Sequence, residues 1–462
     1  MGRRVRLAWV AALACIAVVG LRLCHASVLW ADDNLPLAAA MQVAMGKALY
    51  RDVWFDKPPL VAWIDLWWGA RDGILLRLAG AIYVLAVAGM AWKFARAKWS
   101  EYEGILAFGF AAFFLTFDLP SAVIPLASDM LLILPHLAAI YFAFRARPFW
   151  SGVAAGLGLL CSSKAVFVLA ACALWQWRAL PVLLAGFALP NAAAIGWMAA
   201  HGSAREFYRQ VWQWGSIYAS NTFVENPLAE GAKRTADWLG FHAALAIGSI
   251  LFIGRERKWR IAAWIGIALL GVVVGLRFFP RYYFLLLAPM TIAAARGWAP
   301  ERRWRMAALI VLLAVPLIRF APRYVTLARG ESWRDLDMDR DSRAVSLRLR
   351  ALAQTGDTLF VWGYRPDIFI DSRLPAGTRF LESQPISGVL ADRHLFDSTA
   401  IAPDFIAPNR AELVATKPTW IVDGLGAYNP ALAIDRQPYL AAWLAQYRPV
   451  ERAGFSILYR LR

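Results

Sequence analysis

The chain has 462 residues, of which 60% are hydrophobic and only 18% charged, with a formal net charge of +17. Apolar content on this scale excludes an ordinary water-soluble protein and makes the bilayer the natural solvent. Nucleic acid is not the partner that the positive charge implies, because much of it lies in short segments between apolar runs, as in cytoplasmic loops.

The N-terminus places Arg3, Arg4 and Arg6 before an apolar run from Leu7 to Leu21. A secretory signal peptide has the same form, but more apolar runs follow, and we read it as a retained first helix. Apolar runs predict spans near 7–28, 74–92, 103–117, 129–144, 151–162, 165–177, 180–200, 237–253, 261–276, 282–295 and 306–320, eleven crossings in all. The pair 151–162 and 165–177 is short and suits a broken or re-entrant element around Ser162, Ser163 and Lys164. Basic groups such as Lys93, Arg96 and Lys98 put the N-terminus inside. The outer face then receives Trp30–Gly73, His201–Ala236 and the C-terminal part. The expectation is a polytopic α-helical membrane domain over 1–320, with outer loops at about 29–73 and 201–236, in a bacterial inner membrane. Residues 321–462 predict a small soluble α/β domain outside the cytoplasm, with strands at Thr358–Trp362, Ile368–Asp371 and Thr419–Val422. Helical patterns fall at Ser342–Ala353 and Arg410–Thr416. Cys15, Cys24, Cys161 and Cys172 all lie in apolar segments and read as small buried hydrophobes, not a disulfide framework.

The first outer loop reads Trp30-Ala31-Asp32-Asp33-Asn34 and ends in Tyr50-Arg51-Asp52-Val53-Trp54-Phe55-Asp56-Lys57-Pro58-Pro59. Carboxylates at a membrane exit suit a base acting on a substrate held at the surface, and Asp32 or Asp33 fills that role. The same run also suits a helix cap. Lys57, held before two prolines, suits a lipid phosphate and equally a simple headgroup anchor.

Asp32-Asp33, Gly46, Tyr50-Arg51-Asp52 and Lys57-Pro58-Pro59 occur in an order and spacing that resembles the protein O-mannosyltransferase and aminoarabinose transferase superfamily of C-type glycosyltransferases. The resemblance continues through Gly73, Arg77-Leu78, Asp129-Met130, Gly152 to Gly158 with Lys164, Arg281-Tyr282-Tyr283 and Pro289, over roughly the first 300 residues. It implies a sugar donor on a polyprenyl phosphate, an acceptor outside the cytoplasm and inversion at the anomeric carbon. Asp32 matches the catalytic acidic residue and Asp129 a second acidic residue near it. The usual Asp-Glu with a tyrosine three positions on is here Asp32-Asp33 with Pro36.

Asp129 opens an apolar span and must face a cavity, a partner or the interface, or else cap its helix. Lys57, Lys164, Arg277 and Arg281 suit the leaving phosphate, with Tyr282 as a hydrogen-bond donor; each also suits an ordinary membrane boundary. Tyr208, Trp212, Trp214 and Tyr218 fit an interfacial aromatic belt or sugar stacking. His25, His136, His201, His242 and His394 have no metal-ligand spacing, so no metal or other cofactor is required, although a divalent cation between the acids is compatible. The expected partners are the polyprenyl phosphate-linked sugar (hexose or pentose), an acceptor hydroxyl on a glycan, lipid or protein, and membrane lipids. A lipid-linked glycan transporter and a glycolipid-binding protein without turnover are the competing readings.

Overall fold

A computed structural model describes residues 3–118, 124–221, 226–256, 258–299, 303–331 and 336–462, with side chains from Ala12 onward except that of Arg303. Up to Ala328 every named element is helical. Ile74–Lys98, Ala165–Ala200 and Trp304–Ala328 are long and apolar enough to cross a membrane. Pro227–Phe241 and Ala243–Glu256, bent by 90°, make a fourth if counted as one span. Ala12–Leu23, Ser128–Phe144 and Trp259–Val273 are apolar but shorter. Among the described residues, length and composition therefore do not yield eleven crossings. The spans expected at 165–177 and 180–200 join into one helical run. The span expected at 237–253 breaks at His242, whose buried ring meets Asp118 at 3.1 Å.

Sequence accounts for the local geometry. Ile74–Lys98 opens after Gly73, at φ 70°, and closes with Arg96 and Lys98 where the helix dipole favours cations. The Pro148–Leu159 and Leu180–Ala200 helices touch backbone to backbone: a methyl at Gly152 would collide with the Leu183 carbonyl, and one at Gly186 with the Phe149 carbonyl. In a bilayer, where lipid tails remove the usual hydrophobic drive, such close approach supplies the packing. The apolar Phe284–Gly297 helix is buried on nearly all sides and forms the centre of the helical body. Cys161 and Cys172 are buried, whereas Cys24 is exposed on the surface, contrary to its expected burial.

The helix Arg303–Ala328 runs straight through the boundary drawn at 320, with Pro316 and Pro322 inside it. Beyond it lies a four-stranded sheet: β1 (Leu359–Trp362), β2 (Trp420–Asp423), β3 (Tyr447–Ala453) and β4 (Ser456–Leu461), in spatial order β1-β2-β4-β3. β1 and β2 are parallel and buried along their length, while β2–β4 and β3–β4 are antiparallel. The expected helices appear as Asp337–Leu352 and Pro403–Val414. The strand expected at Ile368–Asp371 is instead a turn and a half of helix, Asp367–Ser372, entered from Pro366. A four-residue apolar run does not distinguish strand from buried helix.

The two segments expected as outer loops are folded structure and not open loops. Ala31–Ala44 is a helix buried from Asp33 to Gln42. The second segment forms Ala204–Phe207, a π-helical turn at Tyr208–Gln213, and Trp214–Ser220. Trp54 and Trp214, one from each segment, share an apolar cluster with Phe360, Trp362 and Phe380 of the C-terminal unit.

Candidate active site

Asp32 and Asp33 occupy the first turn of the Ala31–Ala44 helix, where the helix dipole favours negative charge. The N-cap is Trp30, with no side-chain capping bond, so the alternative cap reading of Asp-Asp-Asn does not describe this turn. Adjacent helical side chains diverge by about 100°, and the two acids have opposite surroundings. Asp33 points inward: its carboxylate pairs with Arg77 at 3.0 Å and accepts the Leu126 N–H at 2.7 Å, with both side chains sealed from solvent. Arg77 also donates to the carbonyls of His25 and Val28, and Arg22 donates to those of Leu115 and Ile124. These bonds tie down the backbone that leads into Asp129. Asp32 points outward, 43% exposed, and pairs with Arg281, itself 26% exposed.

Lys57 is fixed by its neighbours. Tyr50, with φ 69°, donates its hydroxyl to the Lys57 carbonyl at 2.8 Å. Gln210, fully buried, bonds both the Tyr50 carbonyl and the Phe55 N–H at 2.8 Å. The Leu60 N–H bonds the Leu160 carbonyl, which brings the Lys57 segment beside the Ser162–Lys164 turn. Lys57 pairs with Asp56 at 3.2 Å. Burial pulls its ammonium down, but Asp56 and the Tyr364 and Tyr282 hydroxyls outweigh that and hold it above the ordinary lysine range. Lys164 pairs with Asp129 at 2.9 Å and sits 3.4 Å above the Tyr282 ring, within electrostatic reach of Lys57. The structure therefore places Lys57, Lys164, Asp129 and Tyr282 in one neighbourhood.

Arg277 is placed differently. It is 2% exposed, held by Asp392 at 2.7 Å and by the Tyr218 carbonyl at 2.8 Å, with its guanidinium 3.8 Å above the Tyr218 ring. Leu276 and Phe278 on either side have φ of 51° and 47°, conformations that L-residues adopt at a cost of about 1–3 kcal/mol each. Arg234 secures this strained turn by donating to the Arg277 and Phe278 carbonyls. Of the second-segment aromatics, Trp214 stacks on Phe405 at 5.6 Å and Tyr218 lies under Arg277, whereas Tyr208 and Trp212 remain exposed.

The C-terminal unit closes over the same neighbourhood. The Trp54 N–H bonds the Arg379 carbonyl at 2.7 Å, and its ring lies 5.9 Å from Phe380. Tyr364 lies within electrostatic reach of Lys57, Asp56, Glu382 and Tyr218, and burial pushes its hydroxyl above the usual range. Burial also holds the Glu382 carboxyl well above the ordinary range, with Asp56 adding to the shift. Asp56, Tyr364, Glu382 and Asp392 were not expected at the site. Asp56 stands directly before the Lys57-Pro58-Pro59 motif, which was the available signal for it; Tyr364, Glu382 and Asp392 lie in the C-terminal part, outside the ordered motifs. Among the described residues no group of three His, Cys, Asp or Glu is arranged to hold a metal.

A scan against protein-family models finds no match, and neither does a search of curated protein sequences. Solved structures do match. ArnT from Cupriavidus metallidurans bound to undecaprenyl phosphate superposes with a TM-score of 0.59 at 14% identity, covering 98% of this chain and 97% of that one. Its apo form gives 0.56 at the same identity and coverage. The apo oligosaccharyltransferase of Archaeoglobus fulgidus gives 0.50 at 10% identity, over 97% of this chain and 73% of that one. At these identities the shared property is the fold alone, over nearly the whole of this chain.

Proposed function

We propose that this chain is an inverting glycosyltransferase that moves a sugar from a polyprenyl phosphate to a hydroxyl of an acceptor outside the cytoplasm. The observation that carries the reading is the part-exposed Asp32 carboxylate, paired with Arg281 beside a group of fixed cations, within a fold whose solved example is bound to undecaprenyl phosphate. The acceptor hydroxyl gives its proton to Asp32 while its oxygen attacks the anomeric carbon opposite the phosphate. The bond from that carbon to the phosphate oxygen breaks, and the electron pair leaves with a phosphate monoester of one more negative charge. Lys57 and Lys164 stand where that charge grows, with Arg281 beside Asp32 and the Tyr282 hydroxyl as an added donor. Arg277 joins this set by locking the C-terminal unit through Asp392 and keeping a positive charge under the site. Asp33 fixes the turn that aims Asp32, and Asp129 orients Lys164. Side chains thus meet the leaving charge without a metal being required.

The finer topology belongs to the same proposal: a multi-pass helical domain whose last helix runs on to Ala328, and a C-terminal unit outside that narrows access for the acceptor. The test is transfer of radiolabelled sugar from a panel of polyprenyl phosphate donors by the purified protein in nanodiscs, with membrane extract as acceptor. Label passing to acceptor with the wild type and not with Asp32→Asn is the expected result. Donor binding without transfer would instead favour a transporter or a binding-only protein.

A further inference from the structure

Each of the four expected donor-phosphate cations is paired with a carboxylate: Lys57 with Asp56, Lys164 with Asp129, Arg277 with Asp392 and Arg281 with Asp32. The group is charge-balanced as it stands, so an arriving phosphate meets cations already in use. The pairs are not alike. Arg277 is sealed, 1% exposed, and bonded to two partners. Arg281 and Asp32 are 26% and 43% exposed, which makes this the most solvent-accessible of the four pairs. Exposed pairs of this kind contribute only about 0.2–1 kcal/mol, whereas a guanidinium makes strong bidentate bonds to phosphate.

Resting on the glycosyltransferase reading, we infer that the donor phosphate and the Asp32 carboxylate compete for Arg281. Asp32 is held while the site is empty and is released as a base when the phosphate takes its place. Arg281 is then a phosphate-binding residue whose partner reports occupancy: the base becomes available only when there is a donor to attack. A ligand shifts such an equilibrium only by its differential affinity for the two arrangements, and the weak exposed pair keeps that requirement small. After transfer the phosphate carries an additional charge and holds Arg281 more firmly, so Asp32 stays unclamped until the lipid product leaves.

The experiment is a titration of undecaprenyl phosphate against the full-length protein in nanodiscs, using wild type, Asp32→Asn, Arg281→Gln and the double variant. Removing the competing carboxylate tightens binding by about three- to five-fold, the factor matching an exposed pair of up to 1 kcal/mol. Arg281→Gln weakens binding, and Asp32→Asn added to it gives no gain. Equal or weaker binding by Asp32→Asn, or the same gain in the Arg281→Gln background, overturns the inference and leaves the glycosyltransferase reading standing. No binding by any form overturns that reading itself, and the inference with it. Asp32→Ser, which also removes the carboxylate from Arg281, is a second variant with the same expected gain should Asp32→Asn fold poorly.

Discussion

Two adjacent regions of this molecule use acid–base pairs for opposite purposes. In the floor beneath the site, Asp33, Arg77 and Arg22 are buried, multiply bonded and tied to backbone carbonyls. In the neighbouring group, here called the chamber, Asp32–Arg281 and Asp129–Lys164 are partly open, and Lys57 is 39% exposed. A sealed, multiply bonded pair can only build; a partly open one can exchange partners. The two regions meet at consecutive residues, Asp32 and Asp33, so a single peptide unit separates the part-exposed pair from the sealed one.

The sharpest way to break this comparison is to open the floor. Arg77→Met leaves the Asp33 carboxylate buried without its cation and is expected to cost about 3–5 kcal/mol, read as a lower thermal midpoint and poor recovery in detergent. If the variant keeps the wild-type midpoint, the floor is not structural. In the chamber the prediction reverses: Lys57→Ala keeps the midpoint but lowers transfer by roughly 10²-fold, the usual scale for losing one fixed donor at a developing charge. An unchanged rate would remove Lys57 from the leaving-group side. Gly186→Ala probes the packing that holds both regions in register. Its methyl meets the Phe149 carbonyl, and about 1–3 kcal/mol of stability should be lost, again read thermally.

The smallest effect concerns pH. Burial raises the Asp371 carboxyl from its ordinary value to about 7, despite the opposing charge of Arg343. Between about pH 4 and 7 the folded state binds this proton and the unfolded chain does not, so its contribution to stability is largest in acid and is lost as pH rises to 7. Arg343 and the carboxylates of Asp72, Asp339 and Asp367 surround it. Asp371→Asn should therefore flatten the slope of thermal midpoint against pH in that window, and an unaltered slope would show the group titrates normally.

Much of the chamber was legible because its residues occupy short, ordered motifs: Asp32, Lys57-Pro58-Pro59, Lys164 and Arg281-Tyr282 come together as that order implies. The floor was not. Nothing in Asp32-Asp33 says which acid faces in; that depends on Arg77, 44 residues away. The C-terminal share of the site was equally hidden, since Glu382 and Asp392 approach through the packing of Trp54 and Trp214 on a sheet over 300 and 140 residues further along, respectively. Hydropathy located the apolar segments but not their bends, because the 90° turn at His242 falls within a continuous apolar run, with the buried ring beside Asp118. The β3–β4 hairpin was missed as well: only its ends are buried in β3, and the alternation there is too weak to mark a strand.

The most direct test of the division between neighbours is to make Asp32→Asn and Asp33→Asn in parallel and measure, for each, the thermal midpoint and the rate of sugar transfer in nanodiscs. The account predicts that Asp32→Asn keeps the wild-type midpoint and loses transfer, while Asp33→Asn loses stability, with any folded fraction still turning over. Transfer surviving in Asp32→Asn, or the two variants failing in the same way, would contradict it.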